Sequence, residues 1–332
     1  MRVRQEIQAL PRTPGLIFVV AAVVTDADGR VLITRRLPGT HMAGMWEFPG
    51  GKRTDGETRL AALRRELDEE LGVQVRDARP LIAFTHEYPE RHVHLDVWRV
   101  TRFDGSIENR EGQSLAWVEP GSLIGHAEFE LLPADRPIVT ALILPEQYLI
   151  TDASLPDDEL IGRLTAAVVR DGVRLCQLRL PGANADRLRT LALRAIDVCR
   201  PAGAGLLLNA EPEAALSVCV EIGADGVHLP ARALKTFRKR PLPDRFLIGA
   251  SCHDAAELDA AVRLGADFAV LGPVATTPGH PEATPLGWDR FGELCAPAPL
   301  PVYALGGMTR EDTQVAFEHG AQGIAAIRGL SA

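Results

Sequence analysis

Gly51-Lys52-Arg53-Thr54-Asp55-Gly56-Glu57, seven further residues, and then Arg65-Glu66-Leu67-Asp68-Glu69-Glu70-Leu71-Gly72-Val73 is the stretch that organises the first half of the chain. Leu60, Leu63, Leu67 and Leu71 recur at helical spacing, which predicts a helix over Arg59–Leu71 with one apolar side. Gly72 follows the last periodic residue, as a left-handed cap does. Glu66, Glu69 and Glu70 stand at i, i+3 and i+4, so the helix carries three carboxylates on one face. Groups so placed resist ionising together unless a cation compensates them. With no histidine or cysteine in the cluster, the donor set suits Mg2+ or Mn2+ rather than zinc. The preceding Glu47-Phe48-Pro49-Gly50-Gly51 is a glycine-rich turn that can aim a backbone carbonyl at a metal and admit a phosphate chain. A dication beside a polyphosphate neutralises charge and orients water, so the expected chemistry is hydrolysis of a phosphoanhydride. The bland alternative is a solvated acidic helix face capped at Asp55 or Thr58.

Outward from this helix, strand-like runs occupy residues 16–25, 31–35, 81–86, 93–100 and 115–118, and a second helix is expected over 135–144. Strands and helices do not alternate regularly here, which reads as α+β. From Gln147 the pattern changes to short apolar runs at 148–151, 174–179, 205–209, 226–229, 246–250, 268–271, 302–305 and 323–327, with helical stretches between them. Eight β segments in β-α alternation imply parallel strands closed into a barrel. Gly223-Ala224-Asp225-Gly226, Gly265-Ala266-Asp267-Phe268 and Gly320-Ala321-Gln322-Gly323 each close a helix and open a strand, a weak internal repeat. Two domains are therefore expected, 1–145 and 147–332. No long Gly/Ser linker separates them, so they should pack together.

The net charge of −8 argues against a duplex DNA or RNA partner. Cys176, Cys199, Cys219, Cys252 and Cys295 lack metal spacing and read as reduced thiols of a cytoplasmic protein. The apolar run from Leu16 to Val24 is too short to span a bilayer. Arg2, Arg4 and Arg12 before it raise a signal peptide, but Thr25-Asp26-Ala27-Asp28-Gly29 reads as a hairpin turn and not a cleavage site. Neither a membrane nor a nucleic-acid partner is expected, and the oligomeric state stays open.

The opening stretch fits G-x5-E-x7-R-E-U-x-E-E-x-G-U at Gly51, Glu57, Arg65, Glu66, Leu67, Glu69, Glu70, Gly72 and Val73, and so resembles the Nudix box. The resemblance implies an α/β/α sandwich over roughly residues 14 to 145. Ile33-Thr34-Arg35-Arg36, His41-Met42-Ala43, Pro89-Glu90-Arg91-His92 and Glu111-Gly112-Gln113 resemble the MutT-like branch, which hydrolyses oxidised purine nucleoside triphosphates such as 8-oxo-dGTP. It implies that Arg36 and Arg91 contact nucleotide, with His41 and Phe48 near it. It implies that the Gly50 carbonyl, Glu66, Glu69, Glu70 and Glu111 serve the metals and that Glu66 is the general base. Arg65 and Glu69 join Glu66 in the catalytic set and Glu57 joins the metal-side acids, although bracing the loop against the helix is the more natural work of Glu57 and Arg65. One position departs. Asp135 stands where that branch places a base-reading asparagine. An ionised Asp only accepts hydrogen bonds, whereas Asn also donates. Asp135 could accept from a purine N–H, be held protonated in an apolar pocket, or simply cap the helix ahead of Pro137.

The second half resembles thiamine-phosphate synthase and its relative TenI, through Cys176-Gln177-Leu178-Arg179, Leu208-Asn209, Asp225-Gly226-Val227-His228-Leu229, Gly249-Ala250-Ser251-Cys252-His253 and Ala304-Leu305-Gly306-Gly307-Met308. This implies a (β/α)8 TIM barrel with its site at the strand C-termini. Gln177, Arg179, Asn209, Ser251, Gly306 and Gly307 keep residue types that bind pyrimidine or diphosphate in that family. Against this, Leu180-Pro181 replace an expected lysine, and Ala210 and Ala233 replace two metal aspartates. Pro273 replaces the TenI histidine, Arg328 a serine, and Thr276-Thr277-Pro278-Gly279-His280 the usual threonine–lysine loop. Synthase catalysis is not expected; a retained site for a thiamine-precursor phosphate and a purely structural polar barrel end both stay open. His228 and His253 read as satisfied barrel-end histidines rather than metal ligands. The expected whole is a Mg2+-dependent nucleoside triphosphate pyrophosphohydrolase of the 8-oxo-dGTP diphosphatase type, carrying a binding or docking barrel. A hydrolase of thiamine-type diphosphates is the alternative.

Overall fold

The computed structural model describes residues 16–123, 128–277 and 284–330. Arg2, Arg4, Arg12 and the Pro278-Gly279-His280 end of the candidate phosphate loop lie outside the described residues. In chain order the first domain contains β1 (Leu16–Val24), β2 (Val31–Arg35), β3 (Trp46–Glu47), β4 (Gly50–Lys52), α1 (Arg59–Leu71), β5 (Gln74–Tyr88), β6 (Arg91–Asp104), β7 (Ser114–Val118) and α2 (Arg136–Ile143). A four-stranded sheet runs β4-β1-β6-β5, and a three-stranded sheet runs β3-β2-β7. Within the larger sheet β1 lies parallel to β6, while β4 and β5 are antiparallel to their neighbours.

β1 explains the layering. It is apolar throughout because both of its faces are covered. Val20, Ala22 and Val24 pack with Leu63, Leu67 and Leu71 of α1. Ala21 and Val23 point the other way, into a core shared with Ile138 and Val139 of α2. The domain is therefore an α/β/α sandwich. α1 occupies the span its leucine spacing predicts; the Thr58 hydroxyl accepts from the Ala61 N–H at 3.2 Å, and Gly72 closes the helix at φ 70°. Thr58, not Asp55, is the cap. β5 and β6 extend well past the expected 81–86 and 93–100 into one long hairpin paired from Gln74↔Asp104 to Tyr88↔Arg91.

The second domain alternates β8 (Gln147–Ile150), α3 (Asp157–Thr165), β9 (Leu175–Arg179), α4 (Ala185–Cys199), β10 (Gly205–Asn209), α5 (Pro212–Ile222), β11 (Gly226–Leu229), β12 (Leu247–Cys252), α6 (Ala255–Leu264), β13 (Phe268–Leu271), α7 (Gly287–Cys295), β14 (Val302–Leu305), α8 (Thr313–Glu318) and β15 (Gly323–Ala326). β8 to β15 close into a parallel barrel. The one helix missing from the expected alternation lies between β11 and β12, where a 3-10 turn, Ala231–Lys235, makes the crossover. Tyr148, Phe268 and Tyr303 fill the barrel interior, their rings 5.3 to 5.6 Å apart. All five cysteines are buried free thiols. Among the described residues no helix is long and apolar enough to cross a membrane.

The sandwich seats against one end of the barrel. The Gln322 amide donates to the carbonyls of Ala141 and Leu144 at 3.0 and 2.8 Å, and the Tyr303 hydroxyl donates to the Pro145 carbonyl. Arg79 pairs with Glu146 at 2.8 Å, and Arg136 pairs with Asp244 at 3.2 Å. Gln322, Glu146 and Asp244 each precede a barrel strand, so this is the N-terminal end. The opposite end, where the strands finish, is left to the barrel's own loops.

Candidate active site

The carboxylate face of α1 is organised by Arg65. Its Nε donates to Glu57 Oε1 at 3.0 Å, and its Nη2 donates to Glu57 Oε2 and the Lys52 carbonyl, both at 3.0 Å. Its Nη1 donates to Glu66 Oε1 at 2.8 Å and Glu69 Oε2 at 3.1 Å. An arginine has five N–H donors, and all are used. Glu57 also accepts from the N–H and hydroxyl of Thr54. The Arg65 bonds hold the Glu57 carboxyl down to about 2. The structure thus places Glu57 and Arg65 in a brace between the glycine loop and α1, with both Glu57 oxygens engaged there.

The glycines let that loop lie directly on the acids. A Cβ on Gly51 would sit 2.3 Å from Glu66 Oε2, and one on Gly50, at φ 144°, would strike the Val20 carbonyl at 2.2 Å. The Gly50 N–H donates to Glu70 Oε2 at 2.9 Å. Burial pushes the Glu70 carboxyl up to about 8, with the charges of Glu111, Glu47 and Glu66 adding to it. Burial also raises Glu66, opposed by Arg65 and reinforced by Glu69 and Glu111. Glu111 therefore lies within the field of both helix acids. Among the described residues no three His, Cys, Asp or Glu side chains are gathered at metal-binding spacing; Arg65 holds Glu66 and Glu69 instead. The donors still fit a hard dication: they are all oxygen, and glycine at position 51 lets the loop lie directly against the Glu66 carboxylate, where any side chain would strike it.

A second cluster forms beside it. Arg36 donates from Nη1 to Glu47 at 2.5 Å and from Nε to the His41 carbonyl at 2.6 Å. The His41 ring meets Tyr88 edge-on at 5.3 Å. Tyr88 in turn lies within reach of the charges of Asp135, Arg36, Arg91 and Glu47. Asp135 is 3 % exposed and its Oδ2 has no hydrogen-bond partner. Burial raises its carboxyl well above the ordinary range, Glu47 adds to the rise, and the Phe48 N–H and Arg36 oppose it. The helix-cap reading of Asp135 fails, because its side chain makes no cap bond to α2. Phe48 is 3 % exposed, and its ring packs in the α2-side core. Its backbone N–H reaches the Asp135 carboxyl.

At the C-terminal end of the barrel Asn209, Gln177 and Ser251 join through Tyr148 and His228 into one chain of hydrogen bonds, while the Arg179 backbone N–H donates to the Thr151 hydroxyl at 2.9 Å. Asn209 Nδ2 donates to Gln177 Oε1 at 2.8 Å, and Gln177 Nε2 donates to the Tyr148 hydroxyl at 3.1 Å. That hydroxyl meets His228 Nδ1 at 3.1 Å, and His228 Nε2 meets the Ser251 hydroxyl at 2.9 Å. Burial holds the His228 imidazole down to about 3. It is neutral, with both nitrogens satisfied, as the sequence suggested. His253 pairs with Glu257 at 2.8 Å on the surface. Gly306, at φ 107°, packs so closely that a Cβ would lie 2.7 Å from Pro273, while Gly307 faces Ala275 and Thr276. Ala210 and Ala233 are buried apolar residues.

Comparison with known proteins assigns a family to each half of the chain. A family model described as thiamine monophosphate synthase matches residues 147–330, and one described as NUDIX domain matches residues 20–141. The chain belongs to both families. The barrel is 35% identical over 184 residues to a putative thiamine-phosphate synthase 2 of Aquifex aeolicus, covering 55% of this chain and 96% of that protein. The first domain is 36% identical over 128 residues to the CTP pyrophosphohydrolase of Escherichia coli, covering 39% of this chain and 92% of that protein. It is 35% identical over 124 residues to the 8-oxo-dGTP diphosphatase of the same organism, covering 37% and 94% respectively. The Nudix domain is accordingly a phosphoanhydride hydrolase.

Three members of these sites were not singled out from the Nudix or the synthase sequence. Glu47 lay inside a quoted turn but was given no role. Tyr88 was an unremarked residue at a strand end. Tyr148, the link between Gln177 and His228, looked like any aromatic opening a barrel strand. No local pattern marks them; an isolated polar atom on a strand gains its meaning only from what the fold brings opposite.

Proposed function

We propose that the Nudix domain hydrolyses nucleoside triphosphates to a nucleoside monophosphate and diphosphate, with an 8-oxo-dGTP-type nucleotide as its substrate. Water attacks the β-phosphorus, the bond from that phosphorus to the oxygen bridging the α-phosphate breaks, and the monophosphate leaves. Glu66 accepts the water proton on Oε2, the oxygen that Arg65 does not engage. Burial raises its affinity for protons above that of a free carboxylate, the direction a general base requires. Arg65 and Glu57 keep that carboxylate in register with the loop. A divalent cation, for which Glu66, Glu69, Glu70, Glu111 and the Gly50 carbonyl are the donors, would neutralise charge on the phosphate oxygens. Arg36 and Arg91 bind the nucleotide; the buried Arg91 Nε has no other partner.

The single observation that carries the base assignment is Asp135. We read Asp135 as a neutral carboxylic acid in this pocket, because it is buried, one of its oxygens is unpaired and burial raises its affinity for protons. It then offers one donor and one acceptor side by side, as an asparagine amide does. Guanine presents two acceptors, N7 and O6, on its major-groove edge. Oxidation at C8 turns N7 into an N–H, and the edge becomes donor–acceptor, complementary to the acid. Cytosine, with N4–H beside N3, is complementary too, and this favours CTP as a second reading. For the residues 147–332 we infer a binding role without synthase turnover, since Ala210 and Ala233 offer no carboxylate seat for a diphosphate-bound metal. Steady-state turnover of 8-oxo-dGTP, dGTP, CTP, ADP-ribose and thiamine diphosphate with Mg2+ tests the assignment. Preference for 8-oxo-dGTP over dGTP is expected; turnover of thiamine diphosphate alone would sink it. Glu66→Gln should abolish hydrolysis of every active substrate, and a near-wild-type rate would remove Glu66 as base.

A further inference from the structure

The seam between the two domains encloses a cavity of about 230 Å3 that neither family's chemistry uses. Its walls include Arg79 and Arg99 from the sandwich, Glu146 from the join, and Phe317 and Gln322 from the barrel. Arg79 and Arg99 stand directly opposite each other across the β5–β6 ladder. Like charges so placed repel. Glu146 bonds to Arg79 at 2.8 Å, and Arg79 lies over the Phe317 ring at 4.7 Å. Arg99 has no such bond: its Nε is buried without a partner. Two guanidinium groups thus share one carboxylate in a partly dry cleft, leaving a surplus of positive charge and an unused donor. That arrangement costs stability unless something anionic completes it.

We propose that this seam is a binding site for a small phosphate-class dianion, held by Arg79 and Arg99. The guanidinium fork matches phosphate geometry, and the cavity is far larger than one water needs. Orthophosphate and the diphosphate released by the hydrolytic reaction share this chemistry. The site spans both domains, so occupancy would tie the sandwich to the barrel.

The test uses the full chain in chelator, titrated with sodium phosphate, sodium diphosphate, or sodium chloride of matched ionic strength. Calorimetry gives affinity, and thermal melting gives linkage. At about ten times the dissociation constant, the melting temperature should rise by roughly 3 °C. Response to phosphate names the free ion as ligand, and a stronger response to diphosphate names the reaction product. Arg99→Gln should weaken binding at least tenfold, yet melt no lower without ligand, since it relieves the repulsion from Arg79. Glu146→Gln, which removes the competing carboxylate, should tighten binding several-fold. Glu66→Gln should leave binding unchanged, which separates this site from the hydrolytic one whatever the fate of the substrate assignment. Equal shifts in wild type and Arg99→Gln, an unchanged or weaker Glu146→Gln, or a shift reproduced by chloride would each overturn the proposal.

Discussion

Replacing Asp135 by asparagine should do little harm, and that is an unusual expectation for a buried acid in a substrate pocket. Its Oδ2 lacks a partner, its exposure is 3 %, and the nearby Glu47 charge opposes ionisation. If the side chain enters catalysis as a neutral acid, the amide of Asn reproduces both its donor and its acceptor in the same volume. Asp135→Asn should then keep kcat/KM for 8-oxo-dGTP within about fivefold, the size of an ordinary hydrogen-bond rearrangement. Asp135→Leu removes two bonds to the base edge. Two unpaired polar groups at about 1–2 kcal/mol each predict a loss of roughly 30- to 1,000-fold. The pH profile gives an independent readout. The wild type should lose activity on its alkaline side as Asp135 surrenders its proton, and Asp135→Asn should lack that limb. Steady-state kinetics of the three proteins between pH 6 and 10 decide the matter. A fall for Asp135→Asn as deep as that for Asp135→Leu would mean that the working form is the carboxylate, and the base-edge argument would be wrong.

Arg65→Lys should lower kcat roughly 10- to 100-fold with little change in KM, because a point charge cannot serve Glu57, Glu66, Glu69 and the Lys52 carbonyl together; a near-normal kcat refutes the brace. His228 supplies a stability test in acid. Its folded value of about 3 lies below the ordinary 6.5, so its neutral form contributes stability fully above pH 6.5. That contribution erodes as pH falls towards 3, and at pH 5 the loss should be about 2 kcal/mol. Urea unfolding of His228→Gln should show a flatter dependence over that window, and parallel curves for the two proteins would contradict the assignment. Gln322→Leu strips hydrogen bonds from the buried Ala141 and Leu144 carbonyls. It should cost about 2–4 kcal/mol of unfolding free energy, and a loss below 1 kcal/mol would show that water replaces the amide.

The parts of the fold legible in the sequence are those whose signals are local. The leucine stripe and Gly72 fix α1, and compact apolar runs after Gly-Ala caps place β11, β13 and β15 within a residue of the expected spans. The outer ends of β5 and β6 carry Arg76, Asp77, Arg102 and Asp104, whose polarity hides their pairing. The residues 231–235 replace an expected helix with a 3-10 turn, because Pro230 and the basic, proline-broken run beyond it offer no helical stripe. The carboxylate face was legible because helical spacing is arithmetic. The pocket was less so: Glu47, Tyr88 and Asp135 meet only through sheet pairing and the return of α2.

The return of α2 also bears on why the two families share a chain. The helix is eight residues long. Asp135 immediately precedes it, and Arg136 begins it, reaching Asp244 of the barrel at 3.2 Å. Its last carbonyls are held by Gln322, again from the barrel. Both ends of the helix beside Asp135 thus touch the synthase-like domain, while its middle packs in the Nudix core through Ile138 and Val139. The barrel therefore contacts the helix beside Asp135 at both ends, through an exposed ion pair at its start and buried hydrogen bonds at its finish. The face that holds α2 lies at the N-terminal end of the strands, and its contacts come from residues that precede them.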